Sequence, residues 1–163
     1  MSLENYIKAV LCAYPFLATA REDYAQHIKN KALLSYESRM DVEKLTEYLV
    51  EEILHKERLE WLKGVMEEVF SRLSKIERAL LGVYFFGERS GEKSLFEESE
   101  YGSWKAGKQT SFKEKLYEKV GVMLRVNGLT KQTFEEELLG IELIRKIYNQ
   151  ILRREKRSYS SCS

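Results

Sequence analysis

The stretch VEKLTEYLVEEILHKERLEWLKGVMEEVFSRL, residues 42–73, decides the fold of this chain. Its apolar side chains recur at intervals of three to four residues, and glutamate and lysine fill most positions between them. Such spacing places the apolar side chains on one stripe of an α-helix. Asp41 is the expected N-cap, and Gly64 marks the place where so long a helix could break. The stripe consists of Leu45, Leu49, Ile53, Leu59, Leu62, Met66, Phe70 and Leu73.

On the amino-terminal side, a first helix is predicted from an apolar face with the same helical spacing. Ser2 is its expected N-cap. Pro15 should interrupt it, because proline lacks a backbone N–H and clashes with the preceding turn. The chain is expected to resume as helix over residues 18–29, and residues 30–40 are expected to form a loop. The apolar face consists of Leu3, Tyr6, Ile7, Val10, Leu11 and Tyr14.

On the carboxyl-terminal side, four capping boxes predict helix starts. In each box a serine or threonine is followed three residues later by glutamate, so that each side chain can bond the other residue's backbone N–H. Glycines stand where the helices between these boxes should end, since glycine tolerates the left-handed conformation found after many helices. The boxes begin at Ser74, Ser94, Ser111 and Thr133, and the glycines are Gly87, Gly102 and Gly128.

The last helix is predicted from Phe134 to about Arg157, with a bend at Gly140 and a frayed tail over residues 158–163. No run alternates with the period of a β-strand. The sequence therefore predicts an all-α multi-helix bundle of about seven helices. We divide it into an amino-terminal helical region, 1–72, and a second region, 73–163, or treat both as one continuous domain with a linker at 88–93.

The composition suits such a protein. Of its 163 residues, 44% are hydrophobic, enough for a substantial core, and only one is proline. The two cysteines, Cys12 and Cys162, lie near opposite ends and form neither a metal-ligand spacing nor a disulfide framework, which favours a reducing cytoplasm. No apolar run approaches the roughly 18 residues that cross a bilayer, so we expect no membrane partner.

Charge is distributed unevenly along the chain. Residues 1–100 hold 14 Lys and Arg against 19 Asp and Glu, and residues 101–163 hold 13 against 7. The carboxyl-terminal third is therefore basic, although the whole chain has a net charge of only +1. Such asymmetry indicates contact with a polyanion or an acidic partner, or else a set of solvated lysines.

No catalytic constellation is recognisable. Glu52 and His55 form an E-x-x-H pair like those of di-iron helical proteins, but that site needs the motif twice, and His27 has no glutamate three residues before it. Cys12 adjoins the apolar face of the first helix and is expected in the core. Neither a nucleophile elbow nor a phosphate-binding glycine loop occurs. We therefore expect no enzyme, no bound metal and no cofactor.

The stretch GSWKAGKQTSFKEKLYEKVG, residues 102–121, carries five lysines. A short helix over 95–101, a glycine and a lysine-bearing helix follow the order of a helix-turn-helix. Lysines near a helix start can meet phosphate, and counterion release then supplies much of the affinity. Gln109 and Ser111 are expected nearest a base edge. The predicted nucleic-acid-binding residues are Lys105, Lys108, Gln109, Ser111, Lys113, Lys115, Lys119 and Arg125.

A second basic cluster lies on the last helix. Cations near the end of a helix complement the negative end of its dipole, so we favour a structural role for this cluster. Its members are Arg145, Lys146, Arg153, Arg154, Lys156 and Arg157.

The stretch LSKIERALLGVYFFGE, residues 73–88, resembles the opening helix of the carboxyl-terminal promoter-binding region of bacterial RNA polymerase sigma factors. That region typically begins with a leucine, a Glu-Arg pair, an aliphatic run and Tyr-Phe followed by glycine. The resemblance implies that Leu95 and Phe96 stand on a support helix and that Phe112 and Leu116 stand on a recognition helix. The matching residues are Leu73, Glu77, Arg78, Leu80, Leu81, Tyr84, Phe85 and Gly87.

The predicted function is a cytoplasmic, DNA-binding transcriptional regulator of sigma-like type, which contacts phosphates through its basic helix. Its expected partners are DNA and RNA polymerase or another acidic protein. The alternative is a non-catalytic helical interaction domain, a homodimer formed through the helix at 42–73, with no nucleic-acid binding. Packing of a support helix on a recognition helix predicts one buried group made of Leu80, Leu81, Tyr84, Leu116 and Val120.

Overall fold

A computed structural model describes residues 3–37, 41–86 and 100–161 of the chain. Within these ranges the protein contains helices and no strand, which confirms the all-α prediction. The predicted linker at 88–93, the capping box at Ser94, the support helix with Leu95 and Phe96, and Gly87 and Cys162 lie outside the described residues. The helices are α1 (Asn5–Ala13), α2 (Leu17–Glu37), α3 (Val42–Ser71), α4 (Lys75–Phe85), α5 (Ala106–Val126) and α6 (Glu142–Ser160).

Pro15 separates the first two helices, as predicted. It lies in a single 3-10 turn, Tyr14–Phe16, and the Leu11 carbonyl that the residue at 15 would meet in an unbroken α-helix accepts instead from the backbone N–H of Tyr14. The start of α1 was predicted too early: the residue before the helix is Glu4, and no side chain caps it.

The loop predicted over residues 30–40 is wrong for residues 30–37, because α2 continues to Glu37, and residues 38–40 lie outside the described part of the chain. The segment from 30 to 37 holds neither glycine nor proline, and its alanine, leucines and lysine are good helix formers. Contacts with α3 also hold it: the ammonium of Lys31 lies 5.0 Å from the ring centroid of Tyr48. Helix propensity and contact with α3 therefore both favour extension of α2 beyond its predicted end at about Lys29.

The long helix α3 is the centre of the fold. It runs unbroken for 30 residues, about 45 Å at 1.5 Å per residue. Asp41 is its N-cap, as predicted, and accepts a hydrogen bond of 3.1 Å from the backbone N–H of Glu43. Gly64 causes no break; it is exposed and has no neighbour that a side chain would meet.

Only the carboxyl-terminal half of α3 is buried. Its core residues are Leu59, Leu62, Val65, Met66, Val69 and Phe70. Ile53, predicted on the same buried stripe, is 41% exposed, and Leu45 and Leu49 are only half-buried. The amino-terminal half packs against α2 and contributes no residue to the core, and Val50, Ile53 and Leu54 on it meet water.

The start of α4 follows the predicted capping box. Ser74 Oγ accepts from the backbone N–H of Glu77 at 3.2 Å, and the Glu77 carboxylate accepts from the backbone N–H of Ser74 at 3.0 Å. Leu80, Leu81, Leu116 and Val120 share one core, as predicted. Tyr84 was wrongly placed with them and is 48% exposed.

Two other capping boxes were predicted at the wrong residues. Helix α5 begins at Ala106 after Lys105, so Ser111 lies within the helix instead of at its start. An aromatic cluster explains the earlier start, because Trp104 packs on Tyr101 and Phe112 at centroid distances of 5.5 and 5.3 Å and fixes the chain just before the helix. Thr130, three residues before the predicted Thr133, caps the next turn and accepts from the backbone N–H of Thr133.

Gly128 ends α5, as predicted, with a φ of +98° that favours glycine. A short helical segment, 131–138, follows, and its second half, Phe134–Leu138, is a single π-helical turn. The chain breaks at Gly140 and Ile141, where a bend was predicted. Helix α6 then extends through Ser160 and packs on α1, so the predicted frayed tail begins too early.

Gly102, predicted to end a helix, lies inside a 3-10 helix, Glu100–Ser103. The buried residues from Leu3 to Ile144 form one continuous core, to which both predicted regions contribute. The division into regions 1–72 and 73–163 stays a prediction.

Candidate nucleic-acid interface

The outer face of α5 carries a stripe of lysines. Lys105, Lys108, Lys115 and Lys119 follow one another with spacings of three, seven and four residues, which places them on one side of the helix, with Ser111 between them. A neighbouring side of the helix is buried through Leu116, Val120 and Leu124. We call the outer group, Lys105, Lys108, Ser111, Lys115 and Lys119, the lysine stripe.

The amino-terminal end of the lysine stripe rests on an aromatic support. The ammonium of Lys108 lies 4.1 Å from the ring centroid of Trp104, a cation–π contact. Trp104 in turn contacts Phe112, and Tyr101 is buried beneath them. This packing fixes the direction in which the first turn of α5 presents its lysines.

Gln109 and Lys113 turn away from the stripe. The side-chain amide of Gln109 donates a 2.9 Å hydrogen bond to the backbone carbonyl of Tyr101. The ammonium of Lys113 lies 4.2 Å from the ring centroid of Tyr84 and 5.5 Å from that of Tyr117. Burial raises the pKa of Tyr117 to about 12, so its phenol is neutral at physiological pH. Lys113 thus packs against α4, and Gln109 holds the turn before α5.

Lys119 and Arg125 form ion pairs with other helices. Lys119 Nζ lies 3.0 Å from a carboxylate oxygen of Glu77, and Arg125 Nη1 lies 3.0 Å from one of Glu4. Burial alone would raise the pKa of Glu77, but hydrogen bonds from Ser74 and Lys119 outweigh it and lower that pKa. Of the eight predicted residues, Lys105, Lys108, Ser111 and Lys115 are exposed and lie on a single face.

The fold brings the second basic cluster beside α4. Arg154 of α6 and Lys8 of α1 line a cavity of about 390 Å³ whose wall includes Tyr84 and Phe85. Lys113 of α5 covers the ring of the same Tyr84, which also lines the cavity that has Lys8 of α1 and Arg154 of α6 in its wall. Sequence analysis missed Lys8 and gave Arg154 only a structural role, since residues 8, 84 and 154 are brought together by the tertiary fold alone.

Cys12, expected in the core, lies half-buried in the wall of that cavity. Burial raises the pKa of its thiol, and the nearby charges of Arg154 and Lys8 offset only part of the increase. The thiol is therefore protonated at neutral pH and is a poor nucleophile.

Glu52 and His55, the E-x-x-H pair, do not converge on one point. The nearer carboxylate oxygen of Glu52 lies 3.7 Å from Nδ1 of His27, whereas the ring of His55 packs edge-on against Tyr24. Across the described ranges, no three side chains of His, Cys, Asp or Glu are grouped in a way that could hold a metal ion.

None of the helices described is both long and apolar enough to cross a membrane. Comparison of the chain with protein-family models, with curated proteins and with solved structures finds no match.

Proposed function

We propose that this protein is a sigma-like transcriptional regulator that holds the DNA backbone with the lysine stripe of α5. The alignment of four lysines on one solvent-facing side of a helix carries this proposal. From Lys105 to Lys119 the stripe is about 21 Å long at 1.5 Å per residue. A row of cations of that length can contact several phosphates, and each contact releases condensed counterions.

The contacts that support this proposal favour phosphate binding over sequence readout. Ser111 lies on the stripe and can donate to a phosphate or to a base edge. Gln109, the better adenine reader, already donates to the Tyr101 carbonyl and would have to break that bond to reach a base. We therefore expect binding to many duplex sequences with similar affinity.

The sigma resemblance supports the assignment to transcription, since six of its matching residues, Glu77, Arg78, Leu80, Leu81, Tyr84 and Phe85, lie on α4. Helix α4 packs beside α5 and contributes Tyr84, over which Lys113 lies. RNA polymerase, or another acidic protein, is the proposed protein partner.

A salt titration of binding to duplex DNA tests the proposal. The slope of log affinity against log salt should fall in magnitude by about two when Lys108 and Lys115 are both replaced by alanine, since each phosphate contact contributes about one. The matched control is Lys63→Ala with Lys131→Ala, which removes the same charge from α3 and from the turn after α5. No binding by the wild type at low salt, or equal slopes for both double variants, would refute the proposal.

A second candidate function, homodimerisation without nucleic-acid binding, is favoured by the uncovered face of α3. Val50, Leu54, Trp61 and Val65 share one side of this helix by their spacing. Val65 is buried and Trp61 packs on Gly128, but Val50 and Leu54 are exposed. The apolar side of α3 thus continues toward the amino terminus of the helix, beyond the part that other helices cover.

A second copy of the chain suits this face, because charges on the hairpin complement one another. Glu43, Glu47 and Glu51 are exposed on α3, and Lys29 is exposed on α2, so an antiparallel pair of hairpins brings opposite charges together. Sedimentation over a range of concentrations should show a dimer that Leu54→Lys dissociates and Val126→Lys, another exposed apolar site, does not. A wild-type monomer at every concentration would exclude this candidate.

A further inference from the structure

A second cavity lies between α2, α3 and α6, away from the lysine stripe. Its volume of about 600 Å³ falls in the range of small-molecule sites, which extends from about 300 to 1,000 Å³. Its walls combine apolar and polar side chains in the mixture that such sites usually have. They are formed by Phe16, Thr19, Ala20, Asp23, Tyr24, His27, Glu52, Glu142, Leu143 and Lys146.

Glu52 is the least satisfied group in this wall. Its side chain is only 15% exposed, and among the described residues no donor forms a hydrogen bond to its buried Oε2. The ring nitrogen Nδ1 of His27 is 3.7 Å from this oxygen, beyond hydrogen-bond distance, and lies 3.2 Å from the hydroxyl of Tyr48. A buried carboxylate oxygen without a donor is costly, and the described residues supply none here, so this position calls for a donor from outside them.

The charges around the cavity favour a donor that carries a positive charge. Asp23, Glu52 and Glu142 contribute three carboxylates against a single lysine, Lys146. That lysine is already committed, because its ammonium lies 2.7 Å from the carboxylate of Glu142. The hydrogen bond and the charge of Lys146 lower the pKa of Glu142 and keep it ionised. The negative charges of Asp23 and Glu52 therefore face the cavity without an equal number of cations.

The apolar part of the wall defines the rest of the ligand. Phe16, more than half exposed, stands at the cavity with Ala20 and Leu143, and the ring of Tyr24 lies beside them. An aromatic or aliphatic body can cover these side chains, and the two aromatic rings also attract a cation.

We propose that this cavity binds a small organic cation, a protonated amine with an apolar body, whose ammonium donates a hydrogen bond to Oε2 of Glu52. A charge-assisted bond of this kind is about twice as strong as a neutral one, which gives the buried oxygen the partner that it lacks. The occupant is not a metal ion, since the described residues offer no group of three ligands.

Calorimetric titration with 2-phenylethylamine, which is protonated at neutral pH, tests this assignment. We expect saturable binding by the full-length wild type, with a Kd on the order of millimolar for so small a ligand. Glu52→Gln should weaken the binding at least tenfold. The matched control is Glu51→Gln, which removes the same charge from the neighbouring exposed position of α3 and should bind as the wild type does.

Two further measurements make the result decisive. The neutral analogue 2-phenylethanol should not bind; equal binding of the alcohol would show an apolar pocket with no preference for a cation and would overturn the proposal. Thermal unfolding without amine should give Glu52→Gln a Tm at least as high as that of the wild type, because the amide removes an unpartnered buried charge. Absence of saturable amine binding, or an equal amine affinity in Glu52→Gln, would also overturn it.

Discussion

Glu77 joins the start of α4 to α5 through one carboxylate. Its Oε1 accepts from the backbone N–H of Ser74 and from the ammonium of Lys119, each at 3.0 Å. Burial disfavours the charged form, but the two donors favour it more strongly, and the net effect lowers the pKa of Glu77. The pair is partly exposed, so solvent screens its contribution to stability.

This lowered pKa predicts how stability depends on pH. A carboxylate whose folded pKa lies below its unfolded value, about 4.3 for glutamate, stabilises the fold above that value. The contribution is lost as pH falls through the folded pKa. Urea unfolding of Glu77→Gln, which keeps the capping geometry, should show a deficit relative to wild type at pH 7 that narrows at pH 3. Lys119→Met should show the same deficit at pH 7 and the same narrowing at pH 3. A deficit in the free energy of unfolding that stays constant with pH would contradict this account.

Ser74 and Ser111 both begin the pattern S-x-x-E, and the structure gives them different environments. Ser74 accepts from the backbone N–H of Glu77, whereas Ser111 is exposed inside α5. We predict that Ser74→Ala lowers the free energy of unfolding by about 0.5–2 kcal/mol, the usual value of a helix cap. Ser111→Ala should be neutral or slightly stabilising, because alanine has the higher helix propensity. Chemical denaturation measures both; equal losses would place the start of α5 at Ser111 after all.

At the scale of elements, periodicity predicted where α3 lies but not which part of it is covered. The stripe from Leu45 to Leu73 keeps its helical spacing throughout, and this spacing is a local property of the sequence. Burial depends on what packs against the stripe, and the core residues that α3 contributes all lie in its carboxyl-terminal half. The same limit applies to the cavity at Glu52, whose walls combine the consecutive helices α2 and α3 with α6, which is distant from them in sequence.

Alanine substitutions in the two halves of this stripe measure how much more the buried half contributes to stability than the exposed half. Leu62 is fully buried, so Leu62→Ala should destabilise the protein by about 2–5 kcal/mol through lost transfer energy and a cavity. Ile53, on the exposed half, is 41% exposed, and Ile53→Ala should cost less than about 1 kcal/mol in dilute solution. Denaturant unfolding at low protein concentration compares the two without a contribution from dimers. A large loss for Ile53→Ala would mean that this half of α3 is covered.

At the scale of the whole molecule, the fold converts two separate basic segments into neighbours. The helix bearing Arg154 packs on α1, which carries Lys8, and Tyr84 at the end of α4 lies between them and α5. The dipole argument for the last helix still holds for its terminal residues. It could not reveal that Arg154 lines the same cavity as Tyr84, the residue whose ring Lys113 covers.

We predict that the DNA-binding surface extends from the lysine stripe across Tyr84 to Arg154. A duplex held by α5 would then gain phosphate contacts from α6, and Arg154→Ala should reduce the magnitude of the salt slope by about one. The matched control is Lys146→Ala on the same helix, which removes an equal charge near the Glu52 cavity, where its ammonium is paired with Glu142. That variant should keep the wild-type slope. If Arg154→Ala also keeps it while Lys108→Ala with Lys115→Ala flattens it, the interface is confined to α5, and the cations around Tyr84 serve only the packing of α1, α4 and α6.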